Sequence, residues 1–285
     1  MTTETITAAA AGTWQLGDRT VNRMGFGAMR LTGTPPDRDR SIAVLRRAVE
    51  LGVNHIDTAA FYFSPQLSAN ELINAALRPY PEDLVITSKV GPGRDPSGEF
   101  LTARPEQLRG QVEENLRQLG RDHLDVVNLR IGQGLERGTG SLAERFGVLA
   151  ELREEGLIRH LGISNVGPEH LAEAQAVAPV VCVQNQYGLG VRREDDELLR
   201  LCGEQGIAFV PFFSVAHGHE DEAVLALARA HGVTAAQLRL VWTLHQGAHV
   251  LAIPGTGNPA HLEENIAAGA LRLSEEELRQ LDPIR

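Results

Sequence analysis

The chain has 285 residues, 42% of them apolar and 22% charged, with a formal net charge of −10. That much apolar content can fill one large domain or two small ones. The acidic balance excludes broad binding to nucleic acid or to an acidic membrane surface, and anionic ligands are expected only where donors cluster locally.

The opening Met1-Thr-Thr-Glu-Thr-Ile-Thr lacks the basic start and apolar run of a signal peptide. Residues 1–12 read as a flexible lead-in to a single domain over 13–285. No apolar run has transmembrane length, so no membrane partner is expected. Cys182 falls in a strand-like run and Cys202 in a helix-like one. Both read as small buried hydrophobes in a reducing compartment, which points to the cytoplasm. With no obvious apolar surface stripe, the chain is expected to be a monomer.

The first predicted element is a β-hairpin over 13–21, turning at Gly17-Asp18. Eight strand candidates follow at 23–27, 53–57, 84–89, 124–129, 160–164, 180–184, 208–212 and 250–253. Helical patterns lie between them. The stretch 41–51 ends at Gly52, and 106–119 ends at Gly120, both suitable stops. Ser141-Leu-Ala-Glu144 has the form of a capping box, and its helix stops at Gly156. Further helices are predicted over 168–177, 194–205, 221–231 and 234–245. Strands alternating with helices in a chain of this size predict an α/β fold, a (β/α)8 TIM barrel with an N-terminal hairpin. An open doubly wound sheet is the alternative, because periodicity does not show closure. The Gly-rich stretches 91–98 and 132–140 follow strand ends and read as loops over a site.

Asp57 closes one apolar run, Lys89 closes another, and Tyr62 follows Asp57 by five residues. In a parallel β/α fold, C-terminal strand ends are where chemistry is built. A free phenol has a pKa of about 10. An adjacent ammonium favours the phenolate, and a carboxylate keeps that ammonium charged and oriented. A buried ion pair beside a packed Tyr would look the same in sequence. Lys89 and Arg130, each ending a continuous apolar run, are harder to explain as ordinary loop polarity.

Gly255-Thr-Gly-Asn-Pro-Ala260 has the form of a dinucleotide fingerprint, but too few residues follow to build such a domain. As a Gly-rich turn before a helix it remains a candidate phosphate cradle. Gly25-Phe-Gly27 and Gly91-Pro-Gly93 read as turns. His217-Gly-His219-Glu220-Asp221 lacks a fourth ligand at recognisable spacing, so no metal is expected. Gly162-Ile-Ser164 lacks the second Gly of a nucleophile elbow.

The stretches Gly52-Val-Asn-His-Ile-Asp-Thr-Ala-Ala-Phe-Tyr62, Ile86-Thr-Ser-Lys89, Gly156-Leu-Ile-Arg-His-Leu-Gly-Ile-Ser-Asn165, Gln184-Asn-Gln-Tyr187 and Ile253-Pro-Gly-Thr256 resemble the aldo-keto reductases. The likeness runs from about Gly12 to Asp282. It implies hydride transfer from NADPH, more than NADH, to a small-molecule aldehyde or ketone. By the same resemblance, Tyr62 is the general acid, Lys89 tunes it, and Asp57 holds Lys89. Ser164, Asn165 and Gln184 would hold the nicotinamide amide, with Phe212 as the stacking aromatic. Gly255, Thr256, His261, Glu264 and Asn265 would line the adenosine phosphate end. Two departures stand out. Arg130 takes the place of the family's usual fourth catalytic residue, a His, and Gly255 and His261 stand where many relatives place Lys and Arg. The fragments 124–130, 181–185 and 210–213 look like a bacterial branch that includes pyridoxal reductases, which implies reduction of pyridoxal to pyridoxine. A secondary-metabolite ketoreductase, a non-catalytic NADPH-binding regulator and a non-redox barrel lyase or isomerase are the competing readings.

Overall fold

The apolar runs become the staves of a closed β-layer wrapped by helices. The computed structural model describes residues 5–33, 37–94, 100–132, 134–191, 193–214 and 221–284. A two-stranded antiparallel hairpin comes first, β1 (Thr13–Leu16) with β2 (Arg19–Asn22). Seven parallel strands form the main sheet. In sheet order they are β3 (Phe26–Gly27), β4 (His55–Asp57), β5 (Val85–Val90), β8 (Leu124–Arg130), β9 (Ile158–Ser164), β10 (Val180–Gln184) and β11 (Ala208–Phe209).

The eighth predicted strand is reduced to bridges, but these close the barrel. Phe209 pairs in parallel with Val250, and Met24 with Ala252. Leu251 N–H donates to the Phe209 carbonyl at 2.9 Å, and Ala252 N–H to the Arg23 carbonyl at 2.8 Å. The first predicted strand is likewise shortened, to Phe26–Gly27. Gly25 and Gly27 lie along this seam and not in a turn. A Cβ on Gly27 would stand 2.6 Å from the Ile253 carbonyl oxygen, so only glycine permits this approach.

The helices are α1 (Arg38–Glu50), α2 (Ala69–Leu77), α3 (Pro105–Leu119), α4 (Ala143–Glu154), α5 (Pro168–Val177), α6 (Asp196–Glu204), α7 (Glu222–His231), α8 (Ala235–His245), α9 (Pro259–Ala268) and α10 (Glu275–Leu281). Sequence reading passed over α2 and α10. Side-chain caps set several starts, with Ser68 accepting from Glu71 N–H and Asp221 from Ala223 N–H. The box expected at Ser141 does not form. Leu142 is the N-cap, and Glu173 of α5 accepts from the Leu142 N–H at 2.9 Å instead.

Part of the N-terminal lead-in is built into the fold. Ala8–Ala11 make a 3-10 turn, Ala8 N–H donates to the Leu51 carbonyl at 2.8 Å, and Ala8 and Ala11 are buried. The Gly-rich stretch after β5 begins as an antiparallel hairpin, β6 (Pro92–Arg94) with β7 (Phe100–Thr102). Residues 215–220, which carry His217, His219 and Glu220, lie outside the described residues, as do 95–99. Cys182 and Cys202 are buried free thiols, and burial pushes both up to about 12, so they stay protonated.

Candidate active site

Four parallel strands end on the same rim with a polar side chain: Asp57 on β4, Arg130 on β8, Ser164 on β9 and Gln184 on β10. Lys89 is the penultimate residue of β5. Because parallel neighbours run in register, Arg130 pairs with Ser164, and Ser164 with Gln184. Sheet geometry therefore gathers residues far apart in the chain.

Lys89 is fully buried, and its Nζ donates to Asp57 Oδ1 at 2.5 Å and to the Thr58 carbonyl at 3.1 Å. Burial pushes the ammonium down, but the Asp57 carboxylate and Tyr62 together hold it above the ordinary lysine value. Lys89 is thus a permanent cation inside the barrel. Its Nζ lies 4.8 Å from the centroid of the Tyr62 ring. Tyr62 sits in the loop from β4 to α2, where its N–H donates to the Ala59 carbonyl at 3.0 Å. Its own carbonyl accepts from the N–H of Ala69, the first residue of α2, at 2.9 Å. The phenol therefore projects from a fixed backbone.

The second carboxylate oxygen of Asp57 accepts from Gln184 Nε2 at 2.8 Å. That contact leaves Gln184 Oε1 buried without a partner. The same holds for Asn165, whose Nδ2 donates to the Gly134 carbonyl at 2.8 Å while its Oδ1 is buried and unpartnered. Ser164 Oγ is a third such atom. Asn165 takes a left-handed backbone, φ 60°. That costs a non-glycine residue stability and is typical of sites where orientation matters. Buried polar groups are normally paired, so three orphans on adjoining strand ends mark a place for a polar ligand group.

A cavity of about 840 Å³ opens over this rim. Asp57, Tyr62, Arg130 and Phe212 line it, as do Gly255, Thr256 and His261. Arg130 Nη2 donates to the Gly134 carbonyl at 2.7 Å, and the guanidinium carbon stands 5.1 Å from the Phe212 ring centroid. No ion pair to Arg130 is formed among the described residues. Burial pushes the guanidinium down, with Tyr62 and Asp57 opposing, and an arginine in this setting remains charged. Glu264 and Asn265 lie further along α9 and are not on the cavity wall. Sequence reasoning missed Thr58 and Gly134, which act through backbone carbonyls and carry no side-chain signal. It also missed Phe61 and Phe63, which form an apolar wall of the cavity with Met29 and Leu135.

Residues 23–285 match the model of the Aldo/keto reductase family. The chain belongs to that family. It is an oxidoreductase by membership. It is 44% identical over 285 residues to pyridoxine 4-dehydrogenase of Escherichia coli, covering 96% of this chain and 99% of that relative. It is 30% identical to methylglyoxal reductase of the same organism, covering 93% and 92% of the two chains. Among solved structures it is similar to an aldo/keto reductase from Klebsiella pneumoniae in complex with NADP and acetate. There the TM-score is 0.78 at 28% identity, over 95% of this chain and 94% of the other.

Proposed function

We propose that this aldo/keto reductase reduces a small aldehyde to the alcohol with NADPH, and that pyridoxal is its substrate. The observation that carries the cofactor assignment is the set of orphaned atoms on the rim: Ser164 Oγ, Asn165 Oδ1 and Gln184 Oε1. A carboxamide offers two N–H donors and one carbonyl acceptor. Two amide oxygens and one hydroxyl are its complement. The amide nitrogens of Asn165 and Gln184 are already engaged, which fixes their oxygens as the free acceptors. A reduced nicotinamide held there by Ser164, Asn165 and Gln184 would supply a hydride to the substrate carbonyl carbon.

The chain's own residues do the rest. The Tyr62 hydroxyl donates its proton to the carbonyl oxygen, so an aldehyde gaining hydride and proton becomes a primary alcohol. The Lys89 ammonium stabilises the phenolate left behind, and Asp57 keeps Lys89 charged in a buried place. Arg130 cannot exchange a proton near neutrality, so its part is to steady the developing negative charge on the carbonyl oxygen. The ring of Phe212 offers an aromatic face to the nicotinamide. Gly255, Thr256 and His261 line the cavity and serve the phosphate end, with Glu264 and Asn265 further along α9 toward the adenosine.

Pyridoxal is favoured by the 44% identity to an enzyme named for pyridoxine, over nearly the full length of both chains. The test is cofactor oxidation by the purified protein with pyridoxal against a panel of aromatic and aliphatic aldehydes and ketones. Saturable turnover preferring pyridoxal is the expected result. Equal, slow turnover of the whole panel would overturn the pyridoxal assignment and leave the carbonyl reductase assignment standing.

A further inference from the structure

The Gly134 carbonyl oxygen accepts two hydrogen bonds, from Arg130 Nη2 at 2.7 Å and from Asn165 Nδ2 at 2.8 Å. One backbone oxygen thus orients both the guanidinium on the substrate side and the amide on the cofactor side. What holds that oxygen still is the loop after β8. Its return limb lies against its own base, since a Cβ on Gly138 would stand 2.6 Å from Ile131 Cγ1 and 2.8 Å from Gly132 N. Gly138 N–H donates to the Asn165 carbonyl at 2.8 Å.

Outward, the side chain of Arg137 ties the loop to the residues before α6. Arg137 Nε donates to Asp195 Oδ1 at 2.8 Å, and Arg137 Nη2 donates to the Glu194 carbonyl at 3.1 Å. Asp195 is only 2% exposed. Its other oxygen accepts from Asn185 Nδ2 at 3.0 Å, and Asn185 in turn brackets Val166, accepting from its N–H at 3.0 Å and donating to its carbonyl at 2.8 Å. Val166 and Asn185 directly follow Asn165 and Gln184. One buried carboxylate therefore joins the loop to the exits of β9 and β10. A buried ion pair is weak evidence for stability, and its better-attested use is to fix a particular arrangement.

We propose that Asp195 and Arg137 are positioning residues, which set the Gly134 carbonyl and through it both Arg130 and the carboxamide-binding Asn165. This rests on the cofactor placement proposed above. Neither residue lines the cavity, and Arg137 is 33% exposed at its side chain, so replacing it opens no hole in the core, and melting temperature reads the cost of leaving Asp195 unpaired.

The experiment is a double-mutant cycle read by NADPH affinity of the resting enzyme, from nicotinamide fluorescence, with turnover and melting temperature alongside. Arg137→Gln is expected to weaken NADPH binding several-fold and to lower kcat about tenfold, as small misplacements of catalytic groups do. Arg137→Lys, which keeps the charge on Asp195, should regain most of the affinity. The decisive variant is Asn165→Ala combined with Arg137→Gln. It should bind NADPH no more weakly than Asn165→Ala alone, because Arg137 acts through Asn165. Wild-type affinity and kcat in a folded Arg137→Gln protein would overturn the proposal. So would a loss in the double variant equal to the two single losses combined. If Asn165→Ala alone binds NADPH normally, the carboxamide site itself is wrong, and that outcome is separable because it does not involve Arg137.

Discussion

Gln184 Nε2 and Lys89 Nζ share one carboxylate, Asp57, at 2.8 and 2.5 Å. The sharing decides which way Gln184 faces. Its nitrogen is spent on Asp57, so its oxygen is presented, unpartnered, as an acceptor. The proton-handling half of the rim and the half proposed to hold the carboxamide are thereby set by the same side chain.

Asp57→Asn follows from that arrangement. Without the carboxylate, burial acts on Lys89 with less opposition, and its pKa falls. The ammonium is then lost at lower pH. A pH profile of kcat should show its alkaline limb displaced downward, with turnover reduced on the order of 10²-fold or more at neutral pH. An alkaline limb unmoved from wild type would show that Asp57 does not control Lys89.

Arg130 is open to a similar test. Arg130→Ala removes the charge near the proposed carbonyl position, and losing one such donor costs roughly 10²–10³ in rate. Arg130→Lys should recover only part, since an ammonium does not reproduce the planar fork that meets both Gly134 and the Phe212 ring. Steady-state kinetics on pyridoxal and a simple aldehyde check this. Wild-type rates in Arg130→Ala would make Arg130 a wall of the cavity and nothing more.

Sequence could show strand-ending residues because burial of a parallel sheet writes itself as an apolar run with a polar stop. Asp57, Lys89 and Arg130 were visible in that way, Ser164 and Gln184 through the family resemblance, and the structure brings all five to one rim. The barrel's eighth stave was legible as an apolar run, although it pairs only through bridges at Val250 and Ala252. Failures came where tertiary contacts decide. Ser141 has the right spacing for a capping box, yet Glu173 from the next helix takes the Leu142 N–H. Ala8–Ala11 look featureless and are pinned by Leu51. Backbone acceptors such as the Gly134 carbonyl have no sequence signature.

His55 gives the fold a pH dependence separate from catalysis. Its ring is fully buried, with Nε2 3.3 Å from Thr87 Oγ1 and Nδ1 unpartnered. Burial pushes the imidazole down from 6.5 to about 4, with Asp57 opposing and Lys89 assisting. The unfolded chain therefore takes up a proton before the folded one does. This contribution is fully present above pH 6.5 and is lost as pH falls toward about 4. Its size is roughly 3 kcal/mol by proton linkage. Urea unfolding at successive pH values should show this slope, and His55→Gln should flatten it. A slope unchanged in the variant would remove His55 as its source.

Turnover and cofactor affinity of Tyr62→Phe test the central claim most directly. The ring and its contact with Lys89 are kept, and only the hydroxyl group is removed. The expected result is a fall in kcat for aldehyde reduction of roughly 10²–10⁴-fold, the range for a lost general acid, with NADPH affinity nearly unchanged. Turnover close to wild type with Phe at position 62 would contradict the assignment of Tyr62 as the acid.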